Sequence, residues 1–350
     1  MTQKTVRNIA DIARLAGVSK STVSRALSDS PLISQETRER IQAIANQHGF
    51  QVSSAARSLS TQRSQTLGFV THGAHSLPGT PSARADFCEF SMDDLFSLEI
   101  LGAISTATTA RDYDLLLVHV NPRDSKWAAK YLHTGRVDGF ILMTSSYKQT
   151  HIKSMLEIQA PFIAWGVPGH EESYCSVSGD NVRGGRLATS HLIEKGCKRI
   201  GFIGGPSMEK EVQQRYLGYQ QALEANSMAV DPKLVEHGNF STTSGGEAVR
   251  RLLQEAPDLD AVFVNSDLMA IGAMEALTAL GKQIPQDVAV VGYDDVSIAA
   301  HGSPPLTTIR QNIPEIGRVL VNNLIQYIEN GFVANVTMPV ELVERASTQK

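Results

Sequence analysis

The stretch "SKSTVSR", residues 19–25, sets two basic side chains, Lys20 and Arg25, among closely spaced hydroxyls. Hydroxyl and ammonium groups hold phosphate oxygens, and the planar fork of an arginine can give two hydrogen bonds to O6 and N7 of a guanine. The chemistry on offer is therefore recognition of a polyanion that carries bases. Arg25 is the strongest candidate base reader, followed by Lys20 and Ser21, while Ser19, Thr22, Ser24, Ser34 and Thr37 suit contacts to the phosphate backbone. An isolated hydroxyl of this kind is better explained as a helix cap or local turn bond, but their concentration on one short segment favours nucleic acid.

Catalytic patterns do not compete with this. The chain has no GxxxxGK[ST], HExxH or GxSxG, and "GFIGGP" lacks the glycine spacing of a dinucleotide fingerprint, so an enzyme is not expected. Its three cysteines, Cys88, Cys175 and Cys197, stand far apart with no CxxC and no histidine cluster. No disulfide framework, metal or cofactor is expected from them.

The elements that must carry the basic segment are short helices. Ile9, Ile12, Ala13 and Ala16 recur at helical spacing and predict a first helix over residues 8–15, broken by Gly17. Ser19 is a natural N-cap for a second, running to Leu27, whose Val23, Ala26 and Leu27 turn inward and leave Lys20, Ser21, Ser24 and Arg25 outside. A third starts at Ser34, where "SQET" resembles a capping box with Thr37 in place of the usual Glu or Gln, and ends near His48. Two helices joined through a glycine turn, the second short and polar on its outer face, predict a helix-turn-helix whose second element enters a major groove.

Charge supports the same division. The net charge of −4 over 350 residues hides a head, residues 1–63, with nine Lys/Arg against four Asp/Glu, and a remainder with 23 against 32. A basic head on an acidic body points to a polyanion partner for the head alone. The longest apolar runs are strand-sized and the first residues lack a signal-peptide pattern, so a cytoplasmic protein with no membrane segment is expected.

From residue 67 the pattern changes to apolar strands alternating with helical segments: "TLGFV", "DLLLVHV", "DGFILM", "PFIAW", "RIGFIG", "AVFVN" and "VAVVGY". That alternation predicts an α/β body of doubly wound parallel sheets, in which ligands sit beyond the carboxyl ends of strands. His72, Thr144, Ser145, Trp165, Asp267 and Asp294 follow such strands and are the candidate pocket wall, although Asp267 is better explained as the cap of the helix "LMAIGAM". The segment 75–86, rich in Pro, Ser and Gly, is expected to form a surface loop.

The string "NIADIARLAGVSKSTVSRALSDSPLISQETRERI" is similar to the DNA-binding head of the lac and galactose repressor family. "AARSL", residues 55–59, is similar to that family's hinge helix, and "RYLGYQQAL", "SDLMAIGAMEAL", "IPQDVAVVGYDD" and "PPLTTIRQN" extend the resemblance through the chain. Where family members usually place Pro-Asn before the hinge, this chain has Val52 and Ser53. The resemblance implies a helix-turn-helix head at 1–51, a hinge and linker at 52–66, and at 67–350 a two-lobed, periplasmic-binding-protein-like body for effector binding and dimerisation. It puts Leu59 into the minor groove as a wedge, and makes Arg215, Phe240 and Asp294 effector-binding residues. It also implies chain crossings between the lobes near 168–178, near "PPLTTIRQ" and along a last strand at about 336–343. At the position of a further ligand aspartate in some members, this chain has Gly166. The expected partners are palindromic operator DNA, a small-molecule effector of sugar type and a second copy of the chain in a homodimer. The expected function is a repressor of sugar-utilisation genes. An activator or corepressor-dependent regulator with a non-sugar effector is the alternative, and a sugar-binding protein without gene regulation would have no use for the head.

Overall fold

The computed structural model describes residues 6, 8–28, 30–50, 63–72, 94–120, 124, 126–143, 149–168, 174–331 and 333–349. The chain forms two compact units, Met1–Gln65 and Thr66–Lys350. The first contains helices α1 (Ile9–Ala16), α2 (Lys20–Leu27) and α3 (Gln35–Gln47). They close on a small core of Ile12, Ala13, Ala16, Val23, Ala26, Ile41 and Ala45, which matches the helical spacing of these residues, with Ile9 and Leu27 packed at its margin.

The second unit holds two six-stranded sheets. The first is built from β1 (Thr66–His72), β2 (Asp114–Val120), β3 (Gly139–Met143), β4 (Phe162–Trp165), β5 (Cys175–Gly179) and β11 (Val336–Met338). The second comprises β6 (Ile200–Gly204), β7 (Val235–His237), β8 (Ala261–Val264), β9 (Ala289–Asp294), β10 (Thr307–Gln311) and β12 (Val340–Val343). Their orders are β11-β5-β4-β3-β1-β2 and β12-β10-β9-β8-β6-β7, so each contains the same doubly wound core extended by one late strand. All pairings are parallel except β10 with β12.

Helices cover both faces of each sheet, which is why the central strands read as unbroken apolar runs. On the first sheet, α4 (Leu95–Thr109) and α11 (Ile313–Asn330) pack over Phe69, Ile141 and Ile163. The opposite face buries Trp127 and Ala128 of α5 (Trp127–His133) and Ile152 and Met155 of α6 (Gln149–Glu157). On the second sheet, α7 (Asn181–Glu194) and α8 (Lys210–Ala225) bury Ala188, Leu192, Tyr219 and Leu223 on one side. On the other, α9 (Thr242–Glu255) and α10 (Asp267–Ala279) bury Val249, Leu252, Ala273 and Leu277.

The chain crosses between the sheets three times, and two crossings differ from expectation. The first does not fall at 168–178, because β5 continues the first sheet with Ile163 opposite Cys175, and the chain leaves only after Gly179. "CSVSG" alternates small and polar residues, so no apolar run marks it as a strand. The second follows β10, whose successor α11 returns to the first sheet. The third divides the expected last strand in two: β11 pairs with β5, β12 pairs with β10, and Pro339, which has no N–H to give to a ladder, stands between them.

Candidate functional site

In the head, Gly17 adopts the left-handed conformation (φ 65°) and its N–H closes on the Ala13 carbonyl, ending α1 and setting the turn into α2. Val23 and Ala26 bury the inner face of α2, and Lys20, Ser21 and Arg25 are exposed while Thr22 and Ser24 are half-buried. The caps expected at Ser19 and Ser34 are present: Ser19 Oγ accepts from Thr22 N at 3.1 Å, and Ser34 Oγ from Thr37 N at 3.4 Å. Ser19 Oγ also lies 2.8 Å from both Ser21 Oγ and Thr22 Oγ1, and Ser34 Oγ donates to Thr37 Oγ1. These hydroxyls thus have local work, which leaves Lys20 and Arg25 as the outward long side chains of α2. Not all the basic charge faces outward, since Arg38 donates to the carbonyls of Ser30 and Ile33 and Arg40 to that of Ala16. Leu59 lies outside the described residues, as do the hinge segment 55–59 and the 75–86 loop.

In the body, the carboxyl ends of the second sheet bring together Arg215, Asp294, Asn181, Asn265, Tyr293 and Gln311. Arg215, 6% exposed on α8, donates from Nε to Asn181 Oδ1 (2.9 Å) and from Nη1 to the Asn265 carbonyl (2.6 Å). Its guanidinium lies 3.6 Å from the centroid of the Tyr293 ring. Tight packing behind it sets this position. Gly185 of α7 and Gly218 of α8 sit where the two helices meet backbone to backbone, and a Cβ at either would collide with main chain of the other.

Asp294 ends β9 in a strained conformation, φ 112°, followed by Asp295 at φ 58°. Three anchors hold the turn. Gln311 Nε2 donates to Asp294 Oδ1 (2.8 Å), Arg310 and Arg345 each donate to Asp295 at 2.6 Å, and the Val296 N–H donates to Asp267 Oδ2 (2.9 Å). Burial raises the Asp294 carboxyl to about 7, with Arg215 and the Gln311 bond opposing and the Asp94 and Glu99 carboxylates adding to the rise. Burial also pushes Asp267 well up, and the nearby Asp294 charge pushes it further. Burial lifts the Tyr293 hydroxyl to about 12.

Asp267 departs from its expected place as a cap. Ser266 caps α10 through Met269 N, while Asp267, fully buried, also accepts from Thr308 Oγ1 at 2.5 Å. A serine one residue earlier has the correct extended backbone for capping, which frees the aspartate to brace the Asp294 turn.

The remaining expected wall residues are placed unevenly. Phe240, half-buried at φ 66°, lays its ring against Gly205 at the end of β6, where a Cβ would strike it. Trp165 is buried in the apolar layer of the first sheet, 6.2 Å from the Phe96 ring. His72 ends β1, and its side chain, with Thr144 and Ser145, lies outside what is described. Strand-end reasoning missed Asn181, Asn265, Tyr293 and Gln311. Gln311 and Asn265 do stand at or just past strand ends, so that signal was available for them, whereas Asn181 opens a helix after a strand that does not read as one.

Hydrogen bonds also link the carboxyl ends of the two sheets. Glu211 Oε1 accepts from Val167 N (2.6 Å), Lys210 Nζ donates to the Pro168 carbonyl (2.8 Å), and Glu99 Oε1 accepts from Ser297 N (2.8 Å). The arrangement supplies hydrogen bonds, one cation and an aromatic face, which is equipment for holding a polar molecule.

Residues 8–53 match the model of the bacterial regulatory proteins of the lacI family, and residues 189–348 match a periplasmic binding protein-like domain. The HTH-type transcriptional regulator CelR of Thermobifida fusca is 36% identical over 338 residues, covering 95% of this chain and 94% of its own. A solved complex of a transcriptional regulator CelR with cellobiose superposes with a TM-score of 0.69 at 31% identity, over 98% of this chain and 100% of that one. A Lac repressor dimer bound to operator and the anti-inducer ONPF gives 0.81 at 26% identity, over 98% and 99%. With a helix-turn-helix head, two doubly wound sheets and a relative of this identity along nearly its whole length, the chain belongs to the lacI family of DNA-binding transcription regulators.

Proposed function

We propose that the protein is a homodimeric repressor of sugar-utilisation genes that holds a palindromic operator through Arg25 and Lys20 and is released from it by a sugar. The observation that carries the sugar is the pairing of a buried carboxylate, Asp294, with a buried guanidinium, Arg215, beside polar amides at the strand ends. Vicinal hydroxyls both donate and accept, so one sugar edge satisfies both groups, and Phe240 at the end of β6 offers a face for C–H stacking. The CelR–cellobiose complex and the operator-bound Lac repressor dimer support the ligand class, the DNA partner and the two-fold state. The protein acts by binding rather than catalysis and works in the cytoplasm, where its operator is; among the described residues no helix is long and apolar enough to cross a membrane.

Control of the head requires the sugar to bind one conformation better than another, and a hundredfold preference corresponds to about 2.7 kcal/mol per site. Thermal-shift screening of the full chain against mono- and disaccharides, cellobiose among them, identifies the ligand, because a molecule that binds the folded state raises its melting temperature. An operator titration with and without that sugar is the decisive measurement. Weaker operator binding with sugar supports the proposal, and tighter binding with sugar replaces release by recruitment.

A further inference from the structure

We infer that the effector is an unphosphorylated sugar and that its phosphate ester is excluded, a statement that rests on the sugar-effector reading above. The described groups around Asp294 and Arg215 are rich in acceptors and poor in free donors. Two amide oxygens there have no partner although both residues are buried: Asn265 Oδ1, with the residue 0% exposed, and Gln311 Oε1, with the residue 3% exposed. Each is an acceptor with no hydrogen directed at it, so neither tolerates a further acceptor beside it. Asp294 adds further acceptor sites, since Gln311 occupies only one of its oxygens.

On the donor side, Arg215 already spends Nε on Asn181 and Nη1 on the Asn265 carbonyl. Three of its five N–H groups remain, one on Nη1 and two on Nη2, but with Nε spent the side-on fork through Nε and Nη2 is closed to a phosphate. The surrounding charge has the same sign as a phosphate. Glu99, hydrogen-bonded to Ser297 N three residues after Asp294, and Asp94 at the N-cap of α4 both act on Asp294 electrostatically. Arg310 and Arg345, the other guanidiniums at this turn, are engaged by Asp295. A phosphate ester would therefore bring acceptors to unpaired acceptors and negative charge to carboxylates. A neutral sugar brings hydroxyl donors, which suit the Asp294 carboxylate, and no added charge.

Matched pairs test this on the full-length protein by isothermal titration: glucose with glucose 6-phosphate, and cellobiose with its 6-phosphate. The expected result is binding of at least one neutral member, with its phosphate ester weaker by about 100-fold or more. Glu99→Gln should narrow that gap by roughly tenfold by removing one like charge. A phosphate ester that binds as well as its parent overturns the inference and leaves the sugar reading standing. If neither member of either pair binds and the wider sugar panel is also silent, the sugar reading falls and this inference with it.

Discussion

Tyr293 and Arg215 are stacked, guanidinium over ring at 3.6 Å, and both reach Asn181 Oδ1, from the arginine Nε at 2.9 Å and the tyrosine hydroxyl at 3.5 Å. The tyrosine immediately precedes Asp294 on β9 and the arginine lies on α8, so this stack fixes the distance between the cation and the carboxylate of the site. Truncation at the two residues should consequently have different effects.

Asp294→Asn keeps the shape of the turn and removes the charge. It should leave operator binding intact and abolish the response to sugar. Arg215→Ala should do the same and also lower stability by about 1–3 kcal/mol, because it strands the Asn181 and Asn265 oxygens. Operator titrations with and without sugar, together with denaturant melts, separate the two outcomes. Full sugar response in Asp294→Asn removes that carboxylate from the site.

Sugar affinity should depend on pH through Asp294, whose carboxyl is raised to about 7 by burial. Hydroxyl donors favour its ionised form, so binding should release a proton and be about tenfold weaker at pH 6 than at pH 8. Folding has the opposite dependence: a carboxyl raised above its unfolded value stabilises the fold below about pH 4, and that contribution is lost as the pH rises to about 7. The groups acting on it are Arg215, Asp94, Glu99 and the buried Asp267. Calorimetry in buffers of different ionisation enthalpy counts the proton, and Asp294→Asn should flatten the dependence of stability on pH.

Gly185→Val should lower stability by about 2–4 kcal/mol, since the added side chain meets the Arg215 backbone where α7 and α8 touch. If the variant still folds, sugar affinity should fall with it, because Arg215 is carried on the displaced helix. A melting temperature within a degree of the parent would show that the helices separate at little cost.

Arg25→Ala should cost roughly 1–3 kcal/mol on the operator and relax preference at one base pair, with non-specific binding nearly unchanged. Selection of binding sites from a random pool reads this directly, and an unaltered sequence preference would make Arg25 a phosphate contact. Leu59→Ala is the companion variant, expected to reduce operator bending without lowering the melting temperature of the free protein.

Much of the architecture was legible because its determinants are local. Ser19 and Ser34 cap the second and third head helices where their hydroxyls predicted starts, and Gly17 turns where only a residue tolerant of positive φ fits. The seven apolar runs became strands because sheets covered on both faces need continuous hydrophobicity. Strands without such runs were hidden: β5, built of "CSVSG", and β7, three residues long, exist because neighbouring strands offer them partners.

Residue types at strand ends indicated a polar site, and the resemblance singled out Arg215, Phe240 and Asp294, but the state of those groups was decided in three dimensions. Asp267 and Asp294 lie 27 positions apart in sequence and interact only because β9, β10 and α10 converge on one turn. Which carboxylate braces the turn and which keeps an oxygen unspent follows from partners such as Thr308, Val296 and Gln311, contributed by distant segments. A linear pattern records caps and periodicity, which depend on residues within a turn of each other. It does not record desolvation or the occupation of a donor, which depend on what the folded chain brings alongside.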